Sequence, residues 1–327
     1  MTAPAALVFG VSGQDGPWVA RELDAAGYVV HGTHLHHAPD FPWIASSVSV
    51  DLSRDDVDVR DLLEAYGPRV VVFLAGRSSV AGSWNDPAAT MAANVAGYAR
   101  VLDAVARVDP SIRVVHASSS EMFGQADAVI TEATPLRPNS PYAESKSSAH
   151  RLGIEARDRR GMNVANAILF NHESVRRPLP YVFRRISVGT AALSLGLIDE
   201  LVLGDLEVVR DWGYAPDYAR AVTLIAQAPE PDDFIVATGV SVCLRDVVEA
   251  ALASAGLPDR WDLIRIDPAL ARSGSSYAVH ADPSRIREAL GWEATESSAE
   301  VISLMVSHDI EALSDDRRAR DLLGRLT

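Results

Sequence analysis

Residues 5–16 read AALVFGVSGQDG, and this stretch limits the possible folds more than any other. Ala5 to Phe9 is a continuous apolar run, the pattern of a strand buried on both faces of a parallel sheet. It passes into Gly10-Val11-Ser12-Gly13-Gln14-Asp15-Gly16, with Pro17 at a first helical position. A helix from Trp18 to Ala26 then stops at Gly27, a suitable C-cap. A strand, a glycine turn and a helix start aim successive backbone N–H groups at one spot, where a pyrophosphate is held. Gly10, Gly13, Gln14, Asp15 and Gly16 are therefore candidate dinucleotide contacts. A tight βα turn without a ligand has the same local sequence.

The alternation continues downstream. Tyr28 to Thr33 reads as a strand, and Val48 to Val50 leads into Asp51-Leu52, where a carboxylate meets an adenine amino group. Val57 to Tyr66 reads as a helix stopped by Gly67-Pro68, and Val70 to Leu74 as a strand ending in Ala75-Gly76. Asp86 as N-cap and Pro87 behind it predict one long helix through about Val108. Ile112 to Ala117 is a strand, Tyr142 to about Arg159 a helix, and Val164 to Phe170 a strand. Six alternations of this kind predict an α/β fold: a doubly wound, Rossmann-like parallel sheet with ligands at the C-terminal ends of its strands. Residues 1–170 are the expected dinucleotide-binding domain, with returning elements around 205–240. After Phe170 the rhythm breaks, and 171–327 reads mostly as a smaller C-terminal substrate-binding lobe. Its expected elements are a helical segment to about Gly196, a strand at Phe234–Ala237, and helices at Leu244–Ala255, Pro283–Leu290 and Ala299–Leu313.

Chemistry concentrates between Ala117 and His150. The segment opens ASSSEMFG and closes SPYAESKSSAH. Tyr142 and Lys146 lie four residues apart, so on a helix the phenol and the ammonium share one face. An ammonium beside a phenol favours the phenolate, lowering a pKa that starts near ~10. A serine hydroxyl at the end of the preceding strand completes a proton-transfer site for alcohol and ketone chemistry. Of the 30 Lys and Arg residues, Lys146 is the one lysine. A compact ammonium is kept at that position alone, and a planar guanidinium does not replace it. A chance surface lysine is the bland alternative.

Composition narrows the class. The chain has 327 residues, 48% hydrophobic, enough for a large core or two lobes. No apolar run approaches the ~20 residues needed to cross a bilayer, and the start, MTAPAALVFG, lacks the basic region of a signal peptide. One cysteine, Cys243, suits a reducing cytoplasm. A net charge of −14 argues against nucleic acid or an anionic membrane as partner. In this acidic chain Arg176, Arg177, Arg184, Arg185, Arg210 and Arg272 are candidates to clamp a diphosphate; about half are expected to be surface ion-pairing residues.

Several motifs coincide in the right order: GVSGQDG, SSSEMFG, SPYAESK, ILFNHESVRR, LGDLEVVRDWGYAPDY and ADPSRIREALGW. Together they resemble the GDP-mannose 4,6-dehydratases, which are extended short-chain dehydrogenase/reductases. The resemblance implies oxidation of a nucleotide sugar at C4, loss of water across C5 and C6, and return of the hydride to C6. It implies Tyr142 as base on the C4 hydroxyl, Lys146 as its electrostatic partner and Ser119 as the hydroxyl polarising C4–O. Glu121 becomes the C5 base and C6 proton donor, a two-way role open to a carboxylate; an N-cap or loop carboxylate is the alternative. Leu74, Ala75 and Gly76 join Asp51, Leu52, Tyr142 and Lys146 as implied cofactor contacts. Ser79, Asn171, Glu173, Arg177, Arg210 and Arg272 are implied substrate contacts, with Arg210 and Arg272 on the diphosphate. Asn94 matches a helix asparagine that fixes main-chain geometry.

The chain also departs from that pattern. Where the family has paired arginines for the 2′-phosphate of NADP, it reads Gly32-Thr33-His34-Leu35-His36-His37. His36 stands in for one arginine, and no Asp or Glu is present for an NAD ribose diol. NADP is the expected cofactor by analogy, with NAD possible. No ligand set with metal spacing follows these histidines, so no metal is expected. The segment behind them is shorter than in the family, so a homodimer through the Tyr142 helix and the Asp86–Val108 helix is expected rather than a tetramer. LGDL for LGNL, and Ser-Gly-Ser-Ser after Arg272, alter nucleotide-side positions, so a GDP-sugar is favoured without fixing the hexose. Two rivals remain: an NADPH-dependent 4-keto-6-deoxy nucleotide-sugar reductase or epimerase of the same superfamily, and a non-enzymatic dinucleotide sensor.

Overall fold

The computed structural model describes residues 3–126, 128–270 and 278–314. In chain order the first elements are β1 (Ala5–Phe9), α1 (Gly16–Ala25), β2 (Val29–His34), β3 (Ser46–Ser49), α2 (Arg60–Tyr66) and β4 (Pro68–Phe73). Then come α3 (Val80–Asn85), α4 (Pro87–Met91), α5 (Gly97–Val108), β5 (Arg113–Ser119), α6 (Pro141–Arg160) and β6 (Val164–Leu169). The rest comprises β7 (Asn171–Glu173), α7 (Val182–Ser194), β8 (Leu201–Leu203), β9 (Val209–Tyr214), α8 (Ala215–Gln227), β10 (Asp233–Val236), β11 (Ser241–Cys243), α9 (Leu244–Ser254), β12 (Ile264–Ile266), α10 (Ser284–Leu290) and α11 (Ser298–Leu313).

Two compact units emerge. The first takes in residues 1–170, 216–236 and 282–293. Its seven-stranded sheet has the order β10-β6-β5-β4-β1-β2-β3, and every neighbouring pair is parallel. The doubly wound sheet expected from the alternation is present. Its central strands are apolar throughout because helices flank the sheet: Leu7, Phe9, Val71, Phe73 and Val114 join Leu63, Tyr98, Val101 and Val105 in one buried cluster. Strand order reverses at β1, between β4 and β2, where the glycine turn leaves the sheet.

The second unit takes in residues 171–215, 237–281 and 294–327. It has a three-stranded sheet, β11-β9-β7, and the pair β12-β8. Helices α7, α9 and α11 bury Ile186, Val248, Leu252, Ile302 and Met305 in its core.

Several boundaries differ from the sequence expectation. The helix expected from Asp86 to Val108 is α4, a wide π-type turn at Ala92–Ala96, and α5. Asp86 does cap it, accepting the Ala89 N–H at 3.0 Å. The short strands β7, β8, β11 and β12 were not anticipated, while β9 and α8 fall in the span around 205–240 where returning elements were expected. At three residues, β7, β8, β11 and β12 are too short to show a periodicity.

Candidate active site

The glycine turn is built by close approach. Gly10 has φ +85°, and a Cβ there would fall 2.8 Å from the Ala75 backbone N. A Cβ on Gly16 would fall 2.3 Å from the Val11 carbonyl oxygen. Only glycine lets the turn fold onto itself and onto the end of β4. Gly10 N–H donates to Thr33 O, and Gly13 N–H to Gly10 O, both at 3.1 Å. Gln14 donates to Asp15 Oδ1 at 3.1 Å. This leaves a bare backbone cradle between Gly10, Ala75 and the start of α1. Nearby, Ser53 donates twice to Asp51 Oδ1 and so holds that carboxyl below its usual range. Leu52 is buried beneath Gly97, and His36 is exposed within electrostatic reach of Asp51.

Strand β5 delivers the hydroxyl cluster. Ser119 ends the strand, in register with Leu169 of β6, and caps a tight turn, Ser120–Phe123, by accepting the Glu121 N–H at 3.3 Å. Glu121 is thereby carried, half-buried, two residues beyond the strand end. Gly124 closes the turn at φ +61°, where a Cβ would overlap the Arg137 carbonyl.

Helix α6 begins with Ser140 capping Ala143 N–H at 3.1 Å and Pro141 in the first turn. Tyr142 N–H, one of the helix's orphan donors, goes to Ser83 Oγ at 3.1 Å. One turn on, Lys146 Nζ donates to the Ala117 carbonyl at 2.8 Å, joining the helix to β5 just ahead of the serines. Burial pulls the Lys146 ammonium down to about 8, while Asp15 of the glycine turn draws it back up. Asn94, in the π-type turn, accepts from Arg77 N–H at 2.8 Å and donates to Arg77 O at 3.0 Å and Ser145 Oγ at 2.8 Å. Ser145 Oγ in turn donates to the Tyr142 carbonyl. One asparagine thus ties the loop after β4 to the helix that carries Tyr142.

Of the sequence-selected residues of the first unit, the glycine turn follows β1, Leu74, Ala75 and Gly76 follow β4 and Ser119 ends β5, with Lys146 in reach of both Ala117 and Asp15, while His36 and Asp51 follow β2 and β3. Ser79, by contrast, caps α3 through the Gly82 N–H at 2.9 Å. In the second unit, Asn171 and Glu173 lie on β7, and Arg210 on β9 beside them. Arg177 pairs with Glu173 at 2.7 Å and lies over the Tyr181 ring. Arg272 lies outside the described residues. The structure withdraws Arg184 from the diphosphate clamp: it is buried and chelates Asp309 of α11, a core pair rather than a ligand contact. Sequence reasoning missed His150, although its spacing after Tyr142 and Lys146 continues the same helical face.

A parallel sheet in this order, a glycine turn at its switch point, and a Tyr-x-x-x-Lys helix behind a serine-bearing strand end define an extended short-chain dehydrogenase/reductase. Comparison with known proteins narrows the class. A profile of the GDP-mannose 4,6 dehydratase family matches residues 7–305. The chain is 33% identical to GDP-mannose 4,6 dehydratase 1 of Arabidopsis thaliana over 335 residues, covering 97% of this chain and 92% of the relative. The chain belongs to the GDP-mannose 4,6-dehydratase family. Two solved structures share its fold: DesIV, a dTDP-glucose 4,6-dehydratase of Streptomyces venezuelae with NAD bound (24% identity, TM-score 0.82, 95% and 98% coverage), and RMD of Pseudomonas aeruginosa complexed with NADPH (24%, 0.78, 94% and 99%).

Proposed function

We infer that this chain is a nucleotide-sugar 4,6-dehydratase, acting on GDP-mannose or a related GDP-sugar with NADP. The observation that carries the reading is the β5 turn. It places a hydroxyl, Ser119, and a carboxylate, Glu121, two residues apart and joins them to the Tyr142–Lys146 helix through Ala117. A reductase needs the hydroxyl, the phenol and the ammonium. A dehydratase also needs a base for C5.

The cradle fits a dinucleotide. Gly10 and Gly16 let the turn pack closely against Ala75 and Val11, and the first turn of α1 behind it supplies backbone N–H groups for a pyrophosphate. A bound nicotinamide supplies a hydride acceptor for C4 and returns that hydride to C6. Tyr142 accepts the C4 hydroxyl proton, and the Lys146 cation favours the phenolate that does so. Ser119 orients the same oxygen. Once C4 is a ketone, the C5 proton is acidic, and Glu121 removes it and hands it to the departing C6 hydroxyl, which leaves as water. The proton held by Tyr142 balances reprotonation at C5, so proton count and redox state both close.

His36 is assigned to the 2′-phosphate of NADP, supported by its place after β2 near Asp51 and Arg54. A homodimer through α5 and α6 is supported by the groove on those helices, lined by Ala99, Leu102, Leu152 and Ala156 together with the charged Asp103, Glu155 and Arg160, and sedimentation reads it directly. The single Cys243 supports a cytoplasmic location.

The test is incubation with GDP-mannose and catalytic NADP⁺, followed by product mass and absorbance at 340 nm. Loss of one water without a lasting rise in reduced cofactor is the expected result. Stoichiometric consumption of NADPH on a 4-keto sugar, with no water lost, would replace this reading by the reductase.

A further inference from the structure

Beneath the β5 turn lies a buried polar cluster that the catalytic assignment does not use. Ser118 precedes Ser119, and its side chain points away from the turn into the protein. Its Oγ lies 3.3 Å from His150 Nδ1 and 3.4 Å from Met122 Sδ, the residue after Glu121. On the other edge of the imidazole, Nε2 lies 3.7 Å from Asp233 Oδ2, on β10. Asp233 is held by Arg157 at 2.8 and 3.3 Å and by Asn166 Nδ2 at 2.8 Å, and Asn166 Oδ1 lies 3.0 Å from His116 Nδ1. Ser118 and His150 are 3% and 5% exposed, and Asn166 and His116 are fully buried.

An apolar filling of this volume is no harder to pack, and a buried polar cluster adds stability only when its members are satisfied. Its anchoring is directional. Asp233 faces Nε2 at 3.7 Å and favours Nε2–H on that edge, so the single Ser118 hydroxyl proton is shared between two acceptors, His150 Nδ1 and Met122 Sδ. Burial, together with the Arg157 and Arg151 charges, outweighs Asp233 and keeps the ring on its neutral side. His116 and Lys146 complete the charged and titratable surroundings. The result is a bracket with one arm on the turn behind Glu121 and the other on α6, one helical turn past Lys146.

We propose that His150 and Ser118 are positioning residues for dehydration, locking the turn that carries Glu121 to the helix that carries Tyr142 and Lys146. The inference rests on the dehydratase reading. Tyr142 and Glu121 must reach adjacent carbons of one sugar ring, yet they stand on different elements. C4 oxidation uses Tyr142 and Lys146 on the helix and Ser119 at the strand end, whereas elimination adds Glu121, farther out on the turn. Loosening the bracket therefore slows elimination more than oxidation.

Ser118→Ala and His150→Phe test this in the full-length protein with GDP-mannose and NADP⁺. The expected result is a fall in kcat of about 10- to 100-fold, the cost of a small misplacement, with KM within about twofold. Reduced cofactor, expected to be only transient in the unaltered protein, should stand at a higher steady level at 340 nm, as is also expected for Glu121→Gln. His150→Asn, which keeps a polar group near the Nδ1 position, should restore most of kcat. Equal slowing of oxidation and elimination, or unaltered kcat, overturns the proposal. A second arm needs no substrate: in Ser118→Ala, amide hydrogen exchange should quicken at residues 120–124 and stay unaltered at residues 5–16. Unaltered exchange in the turn overturns the bracket even if another sugar proves to be the substrate. Failure of the unaltered protein to dehydrate GDP-mannose, with the exchange result standing, counts against the substrate assignment alone.

Discussion

Lys146 gathers more constraints than any other side chain here. It is buried, its ammonium donates to the Ala117 carbonyl, and Asp15 is the charge that steadies it. Its folded value near 8 lies below the ordinary 10.5, so the cation is intact below about pH 8 and is lost as pH rises through it. The kcat profile should therefore have an alkaline limb near 8, and ¹⁵N-lysine labelling should give a single side-chain signal titrating with that midpoint. A midpoint near 10.5 would mean that the site is wetter than the structure has it. His36 gives a second test: His36→Ala should lower the affinity for NADP relative to NAD, measured by calorimetry, and His36→Arg should raise it, because a guanidinium holds a phosphate bidentately. An unaltered ratio in both would remove His36 from the cofactor site.

At the scale of elements, the π-type turn between α4 and α5 holds Asn94 where it bonds Arg77 and Ser145 at once. Asn94→Ala removes three hydrogen bonds, of which the one to Ser145 is buried, so a loss of about 1–3 kcal/mol in total is expected. Denaturant unfolding measures it, and a cost near zero would show that the loop re-bonds elsewhere. This turn also marks a limit of sequence reading. Asp86-Pro87 announced a helix start and AANVAGY an asparagine, but the break between α4 and α5 has no local signature, since it answers to Gly76 and Ser145 far along the chain. The glycine turn, the β5 serines and the α6 face were legible because each is a local pattern within one βα unit. The bracket of Ser118, His150 and Asp233 was not, because its partners stand 32 residues and more apart. Arg184 of the second unit was included among the clamp candidates for a related reason. Spacing along the chain cannot tell an arginine that faces a ligand from Arg184, whose carboxylate lies 125 residues away.

Across the whole molecule, both units commit charge to the interior, and one case in each sets a testable property. In the second, Arg184 and Asp309 are both buried where α7 meets α11, with His308 beside them. Removing one partner strands a charge in the core, and Asp309→Asn should cost about 3–5 kcal/mol, read as a lowered denaturation midpoint. A double Arg184→Met, Asp309→Leu change should recover much of that loss, because well-packed apolar residues replace such pairs at little cost. In the first unit the commitment is Lys146, and it makes the molecule unusual as a substrate for other enzymes. A lysine-specific endoprotease has one bond to cut in the entire sequence, Lys146–Ser147, and that bond lies in the middle of a buried helix turn. Cleavage can proceed only when α6 opens, so its rate reports the opening equilibrium of the catalytic helix. The protein should resist such digestion when folded and yield two clean fragments when it opens. Bound NADP should slow the cut in proportion to its hold on the site, which makes the scissile bond a built-in gauge of occupancy.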